Sequence, residues 1–148
     1  MSPLSSLLSL FRLKKTEQKN PYECITLKGE KVKSYGEKEI ADFLFDNDIP
    51  YRYEEPYIYN PNYHPDFHIL DTNIWIEYFG IDRNGKVPEW FEGKNPSKKY
   101  KKQIKWKKKI HRRNRTKLIC LYAYQRSEGT LIDTLSHELR KQGIRTIR

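Results

Sequence analysis

Two acidic residues stand where acids are costly. Asp66 follows Pro65 and is succeeded by the apolar Phe67 and Ile69, and Glu77 lies inside Ile74-Trp75-Ile76-Glu77-Tyr78-Phe79. Both segments read as strands, and an unpaired carboxylate among apolar neighbours pays a desolvation cost. Asp71-Thr72 reads as the turn between them. A two-residue turn pairs Leu70 with Asn73 and sets Asp66 directly opposite Glu77, with Cβ atoms roughly 4.5–5.5 Å apart on one face. A three-residue loop would oppose Asp66 to Tyr78 instead. Two like charges so placed repel unless a cation lies between them. Oxygen ligands of this kind suit Mg²⁺, with Mn²⁺ as a substitute. The chemistry open to such a pair is metal-assisted hydrolysis.

A third acid and a lysine point the same way. Ser34-Tyr35-Gly36-Glu37 opens a helix in which Ser34 caps the first turn and Glu37 completes a capping box. Glu37 also precedes Ile40 by three residues and Leu44 by seven, which puts it on the buried stripe and toward the sheet. Further on, Ser97 to Arg113 predicts a basic helix. At about 100° per residue, Tyr100, Gln103, Ile104, Lys107, Ile110 and His111 share one face. Lys107 therefore sits on the core-facing stripe, where a lysine is rare unless paired. A role beside the carboxylates accounts for it better than snorkelling does.

The elements that must position these groups follow from periodicity and punctuation. A helix from Ser34 runs out near Asn47. Ile49 to Tyr59 is extended, rich in tyrosine and interrupted by Pro56. Tyr63 to Leu70 and Asn73 to Phe79 form a hairpin, and Gly80 to Gly93 is a loop. After the basic helix, Lys117 to Tyr124 reads as a continuous apolar strand, suited to a central buried position. Thr130 to Gln142 is a helix stopped by Gly143, and Ile144 to Ile147 is a last short strand. The expected fold class is α/β, a mixed sheet flanked by helices. At the N-terminus Leu4, Leu7, Leu8 and Phe11 repeat at helical spacing. Residues 14–33 read as a linker or a short strand around Cys24 to Leu27. The expected organisation is an N-terminal helix and linker over 1–31 and one domain over 32–148.

Charge placement bounds the partners. The chain has 148 residues and a formal net charge of +10. Between Gly93 and Ser127 there is no Asp or Glu, yet that stretch holds 14 of the 29 Lys and Arg residues. What remains is mildly acidic, so the basic character belongs to one segment. An unbroken run of one sign repels itself, and a polyanion such as DNA is the natural partner. Lys101, Lys105, Lys108, His111 and Arg112 are the expected phosphate contacts. Cys24 and Cys120 have no metal-ligand spacing, His64, His68 and His111 have no zinc spacing, and a reducing cytoplasm is expected. The apolar start is too short to span a bilayer and lacks the features of a leader, so no membrane association is expected.

Taken together these residues resemble the PD-(D/E)XK, or restriction-endonuclease-like, nuclease superfamily. Pro65-Asp66 is similar to its first motif, Glu77 to the acid of its second, and Glu37 to the upstream acid of many members. The likeness is nearest to the nuclease-type module associated with superfamily 1 helicases resembling helicase IV. It is carried by Ser34-Tyr35-Gly36-Glu37 with Ile40-Ala41, Tyr63-His64-Pro65-Asp66-Phe67, Ile76-Glu77-Tyr78-Phe79-Gly80, and Tyr100 with Trp106-Lys107 and His111, over about Val32 to Gly143. No phosphate-loop Gly-x-x-x-x-Gly-Lys is present, so the chain is not a motor. The resemblance implies a restriction-endonuclease-like core and Mg²⁺-dependent cleavage of DNA with little sequence specificity. It implies Asp66, Glu77 and Glu37, with the backbone carbonyl of Tyr78, as metal ligands. One departure stands out. The superfamily lysine belongs two residues after the second acid, where this chain has Phe79, and Lys107 is the candidate substitute. The same charge pattern would also serve a non-catalytic nucleic-acid-binding module on a degenerate nuclease fold. A further reading is an accessory protein whose N-terminal leucines make a homodimer or dock on a helicase or other DNA-processing protein.

Overall fold

A computed structural model describes residues 24–147. The expected N-terminal helix at Leu4 to Phe11 lies outside the described residues. The chain enters as a tight turn bridged between Ile25 and Lys31, rather than as a strand. Helix α1 spans Tyr35–Asp46 and strand β1 Tyr51–Tyr53. Strand β2 spans Phe67–Ile69 and β3 Ile74–Phe79. Helix α2 spans Pro96–Arg113, strand β4 Lys117–Tyr122, helix α3 Ala123–Glu128 and helix α4 Leu131–Lys141. The four strands form one mixed sheet in the order β1-β2-β3-β4, antiparallel except for the parallel pair β3–β4. The long connection through α2 is what a parallel pair requires.

The hairpin register is the one a two-residue turn dictates: Phe67 pairs with Ile76 and His68 with Trp75. Asp71 takes the left-handed φ of 59° that this turn demands, a conformation Asp tolerates better than most residues. Strand pleating then sorts β3. Ile74 and Ile76 face the main core with Ile40, Leu44, Phe67, Ile119, Leu121, Leu135 and Leu139. On the opposite face, Phe79 joins a second cluster with Tyr100 and Ile104 of α2, and Trp75 joins a third with Tyr57 and Tyr63. Glu77 lies between Phe79 and Trp75 on that α2-facing side, because side chains alternate along a strand.

Three expectations are corrected. The strand at Lys117 is not central, since it pairs only with β3 and closes one edge of the sheet. Its apolar run reflects two covered faces, Ile119 and Leu121 against the main core and Cys120 and Tyr122 against the α2-side cluster. It also ends at Tyr122, where the Tyr122 N–H donates to the Gln125 side chain at 2.9 Å and starts the short α3. The tail at Ile144 to Ile147 joins no ladder among the described residues. Its backbone is satisfied by side chains and helix ends instead, with the Ile144 N–H on the Leu139 carbonyl and the Ile147 N–H on Asn47 Oδ1. Among the described residues no helix is long and apolar enough to cross a membrane.

Candidate active site

Glu37, Asp66, Glu77 and Lys107 are all buried, at 5%, 5%, 1% and 3% exposure. Four ionisable groups removed from water together need partners, and each finds some. Lys107 projects from the inner face of α2 and pairs with Glu77 Oε2. Its ammonium also lies 5.4 Å from the centre of the Phe79 ring and 5.7 Å from that of Tyr63. Glu77 Oε2 accepts the Tyr63 hydroxyl at 3.2 Å, and Oε1 accepts the Asp66 N–H at 3.0 Å. Asp66 Oδ2 in turn accepts the Tyr78 N–H at 2.7 Å. The hairpin thus ties its two acids to one another through backbone donors.

Glu37 is held from the other side. Ser34 caps α1 by accepting the Glu37 N–H at 3.1 Å, as expected. The Glu37 carboxylate is turned inward, accepting Ser34 Oγ–H at 2.7 Å and the Tyr53 hydroxyl at 2.8 Å. Lys33, Ser34, Glu37, Asp66, Tyr78, Gly80, Phe91 and Tyr100 line a cavity of about 20 Å³. That is room for about one water-sized sphere. Glu77 is not among its walls, so the cavity gathers Glu37 and Asp66 while Glu77 turns to the lysine.

The electrostatics of the cluster are unbalanced. Burial raises the Asp66 carboxyl well above its ordinary value, and the charges of Glu77 and Glu37 raise it further. Lys107 and the Tyr78 N–H oppose this only in part. Burial likewise raises Glu37, against the bonds from Ser34 and Tyr53. The phenols of Tyr53 and Tyr63 are held protonated by burial and by Glu37 and Glu77 respectively, which makes each a firm donor. Each pKa unit of such displacement corresponds to about 1.4 kcal/mol between the two protonation states. A positive charge beside Asp66 is what the site lacks.

A hard divalent cation fits that deficit. Glu37 and Asp66 bring carboxylate oxygens to the cavity, Lys33 in its wall is paired with Glu54, and the space is monatomic in scale. Among the described residues no group of three His, Cys, Asp or Glu side chains is placed to hold a metal ion. Glu37 and Asp66 would therefore hold an ion with backbone, solvent or phosphate oxygens completing the shell, as Mg²⁺ commonly does.

His111 departs from its expected role. It is 1% exposed and does not reach solvent, so it offers no phosphate contact. Its Nδ1 lies 2.8 Å from Thr116 Oγ1 and its Nε2 3.1 Å from the Tyr63 hydroxyl. Because Tyr63 donates to Glu77, Nε2 must carry the proton that Tyr63 accepts. Burial, then the charge of Lys107, lowers His111 to a pKa of about 4 and keeps the ring neutral. It buttresses Tyr63. By contrast Lys101, Lys105, Lys108 and Arg112 lie exposed along α2. Sequence reasoning missed Tyr53 and Tyr63 as the hydroxyls that fix the two glutamates. The only signal was the density of tyrosine between Tyr51 and Tyr63.

Gly36 controls how closely α1 approaches the sheet. A Cβ built there would overlap the ring of Tyr78. Gly→Ala inside a helix normally stabilises by roughly 0.5–1 kcal/mol. Here Gly36→Ala is expected to destabilise by roughly 1–3 kcal/mol, as overpacking does, and to push Glu37 from the cavity. A urea midpoint above that of the unmodified chain would refute the close approach.

No protein-family model matches the chain, and no characterised protein or solved structure does either.

Proposed function

We propose that the chain is a metal-dependent nuclease that hydrolyses phosphodiester bonds in DNA, as an endonuclease with little intrinsic sequence specificity, on a restriction-endonuclease-like core. The observation that carries this reading is a buried lysine paired with Glu77, whose other carboxylate oxygen accepts the backbone N–H of Asp66, a wall of the two-carboxylate cavity. In the resemblance the strand lysine is missing, and Phe79 takes its place. Lys107 brings an ammonium against the ring of that residue from the neighbouring helix. The charge is retained while its attachment to the backbone changes.

Glu37 and Asp66 would hold a divalent cation, which supplies Lewis acidity and acidifies a water molecule. Lys107 offsets negative charge that grows on the phosphate in the transition state. Glu77 aims that ammonium, and Tyr63 fixes Glu77. The exposed Lys101, Lys105, Lys108 and Arg112 grip backbone phosphates, which carry no sequence information. Binding should therefore weaken steeply with salt.

The test is Asp66→Ala, assayed on single-stranded, duplex and branched DNA with and without Mg²⁺. Mg²⁺-dependent cleavage by the unmodified chain should vanish in the variant while DNA affinity stays. A chain that binds DNA but cuts nothing under any divalent cation is a binding module instead.

A further inference from the structure

The described residues leave six large apolar side chains exposed, and two of them, Trp106 and Tyr59, are joined through a pair of buried tyrosines beside the site. Trp106 is 45% exposed, Tyr59 59% and Ile58 74%. Trp106 packs edge-on against Tyr63 with ring centres 5.3 Å apart, and Tyr63 packs against Tyr57 at 5.4 Å. Tyr57 in turn meets Tyr59 at 5.7 Å. The two exposed rings thus flank a buried tyrosine pair, one member of which hydrogen-bonds Glu77. A tryptophan half open to water on a helix so rich in lysine is not explained by packing alone.

Its surroundings identify the occupant. Lys102, Lys109 and Arg113 stand four residues before, three after and seven after Trp106, so they share its stripe, and all three are exposed. No acid occurs anywhere in α2. An apolar ring bracketed by cations suits a ligand with flat apolar faces strung on an anionic backbone. Unpaired nucleic-acid bases have that form. A duplex hides its base faces by stacking and presents only phosphates and groove edges.

We propose that Trp106, with Tyr59 across the buried tyrosine pair from it, is a stacking platform for unpaired bases, so that the substrate class is single-stranded or locally unpaired nucleic acid. This rests on the nuclease reading only for what happens next: Trp106 packs on Tyr63, which hydrogen-bonds Glu77, so a strand stacked there would lie next to the proposed site. Stacking on an aromatic side chain tolerates any base, so the platform selects strandedness and not sequence.

The test uses the full chain without divalent cation, so that binding is read apart from cleavage. Anisotropy of labelled oligothymidylate and of an equally long duplex is followed for the unmodified chain, Trp106→Ala, Trp106→Phe and Lys105→Ala. Trp106→Ala should weaken oligothymidylate binding on the order of tenfold and leave the duplex within about twofold. Trp106→Phe, which keeps a ring, should lie between. Lys105→Ala should weaken both ligands alike, as a phosphate contact does. Equal losses on both ligands in Trp106→Ala, or no loss on either, overturn the proposal. So does a change in sedimentation on Trp106→Ala with oligothymidylate affinity intact, which would make the patch a protein interface. Cleavage with Mg²⁺ is scored separately. A chain that binds through Trp106 but never cuts keeps this inference and loses the nuclease reading.

Discussion

Lys107→Met is expected to cost the fold about 3–5 kcal/mol, the usual penalty for stranding one partner of a buried ion pair. Glu77 would keep only the Tyr63 hydroxyl and the Asp66 N–H, neither of which carries charge. Asp66 would lose the Lys107 charge that lowers its carboxyl. Against a total stability of about 5–15 kcal/mol, that loss is enough to unfold a marginal chain, so the informative variant is the double one. Glu77→Gln with Lys107→Met replaces a charged pair by a neutral pair of similar volume. The single amide oxygen still accepts the Asp66 N–H, and the amide nitrogen can donate to the Tyr63 oxygen. Replacing both partners is often neutral or stabilising, and the urea midpoint should return close to that of the unmodified chain. Activity should not return. Loss of the ammonium removes transition-state stabilisation on the order of 10²–10³ in rate, and restored folding does nothing for that. A single Lys107→Met variant with an unchanged midpoint would show that the lysine compensates nothing. A double variant that cuts normally would remove Lys107 from the mechanism.

The same pair shows where the sequence was legible. The register of β2 and β3 followed from a turn of fixed length, and a register error of one residue would have moved Glu77 to the other face of the sheet. Helical periodicity turned Lys107 inward, and it is inward. Both are local rules, in which spacing along the chain determines direction. What periodicity did not give is the division of labour. Glu37 and Asp66 line the cavity while Glu77 answers the lysine, and that depends on how α1 and α2 settle on the sheet. His111 illustrates the limit in another way. The pattern that placed Lys107 on the inner face of α2 placed His111 there too. A phosphate role nevertheless required it to face outward. The edge position of β4 was hidden for a related reason, because two covered faces read like a central strand whether or not both edges are paired.

Asp66→Asn should make the chain more stable and inactive together. Burial and the neighbouring glutamates hold the Asp66 carboxyl above its ordinary value. The sign follows from which state releases its proton first. As pH rises past about 3.9, the ordinary Asp value, the unfolded chain ionises while the folded one still holds its proton. Folding loses free energy with each step until pH passes the raised folded value, and the loss stays constant beyond it. Asparagine removes that penalty and still accepts the Tyr78 N–H. The melting temperature of Asp66→Asn minus that of the unmodified chain should therefore be near zero at about pH 4, by the same linkage, and positive at neutral pH. Mg²⁺ should act in the opposite direction. A cation held by ionised Asp66 and Glu37 stabilises only the folded state, and at a hundred times its dissociation constant this amounts to about 2.7 kcal/mol. Each kcal/mol shifts the melting temperature by about 2–4 °C in a chain of this size. The unmodified chain should thus gain roughly 5–10 °C with Mg²⁺ at neutral pH, with little gain near pH 4 and none in Asp66→Asn. One group would then account for both the destabilisation of the site and the expected affinity for a cation, since each would reflect the same uncompensated negative charge. A variant that melts no higher than its parent at neutral pH, or that Mg²⁺ stabilises as much as its parent, would separate the two and leave the cavity without a ligand.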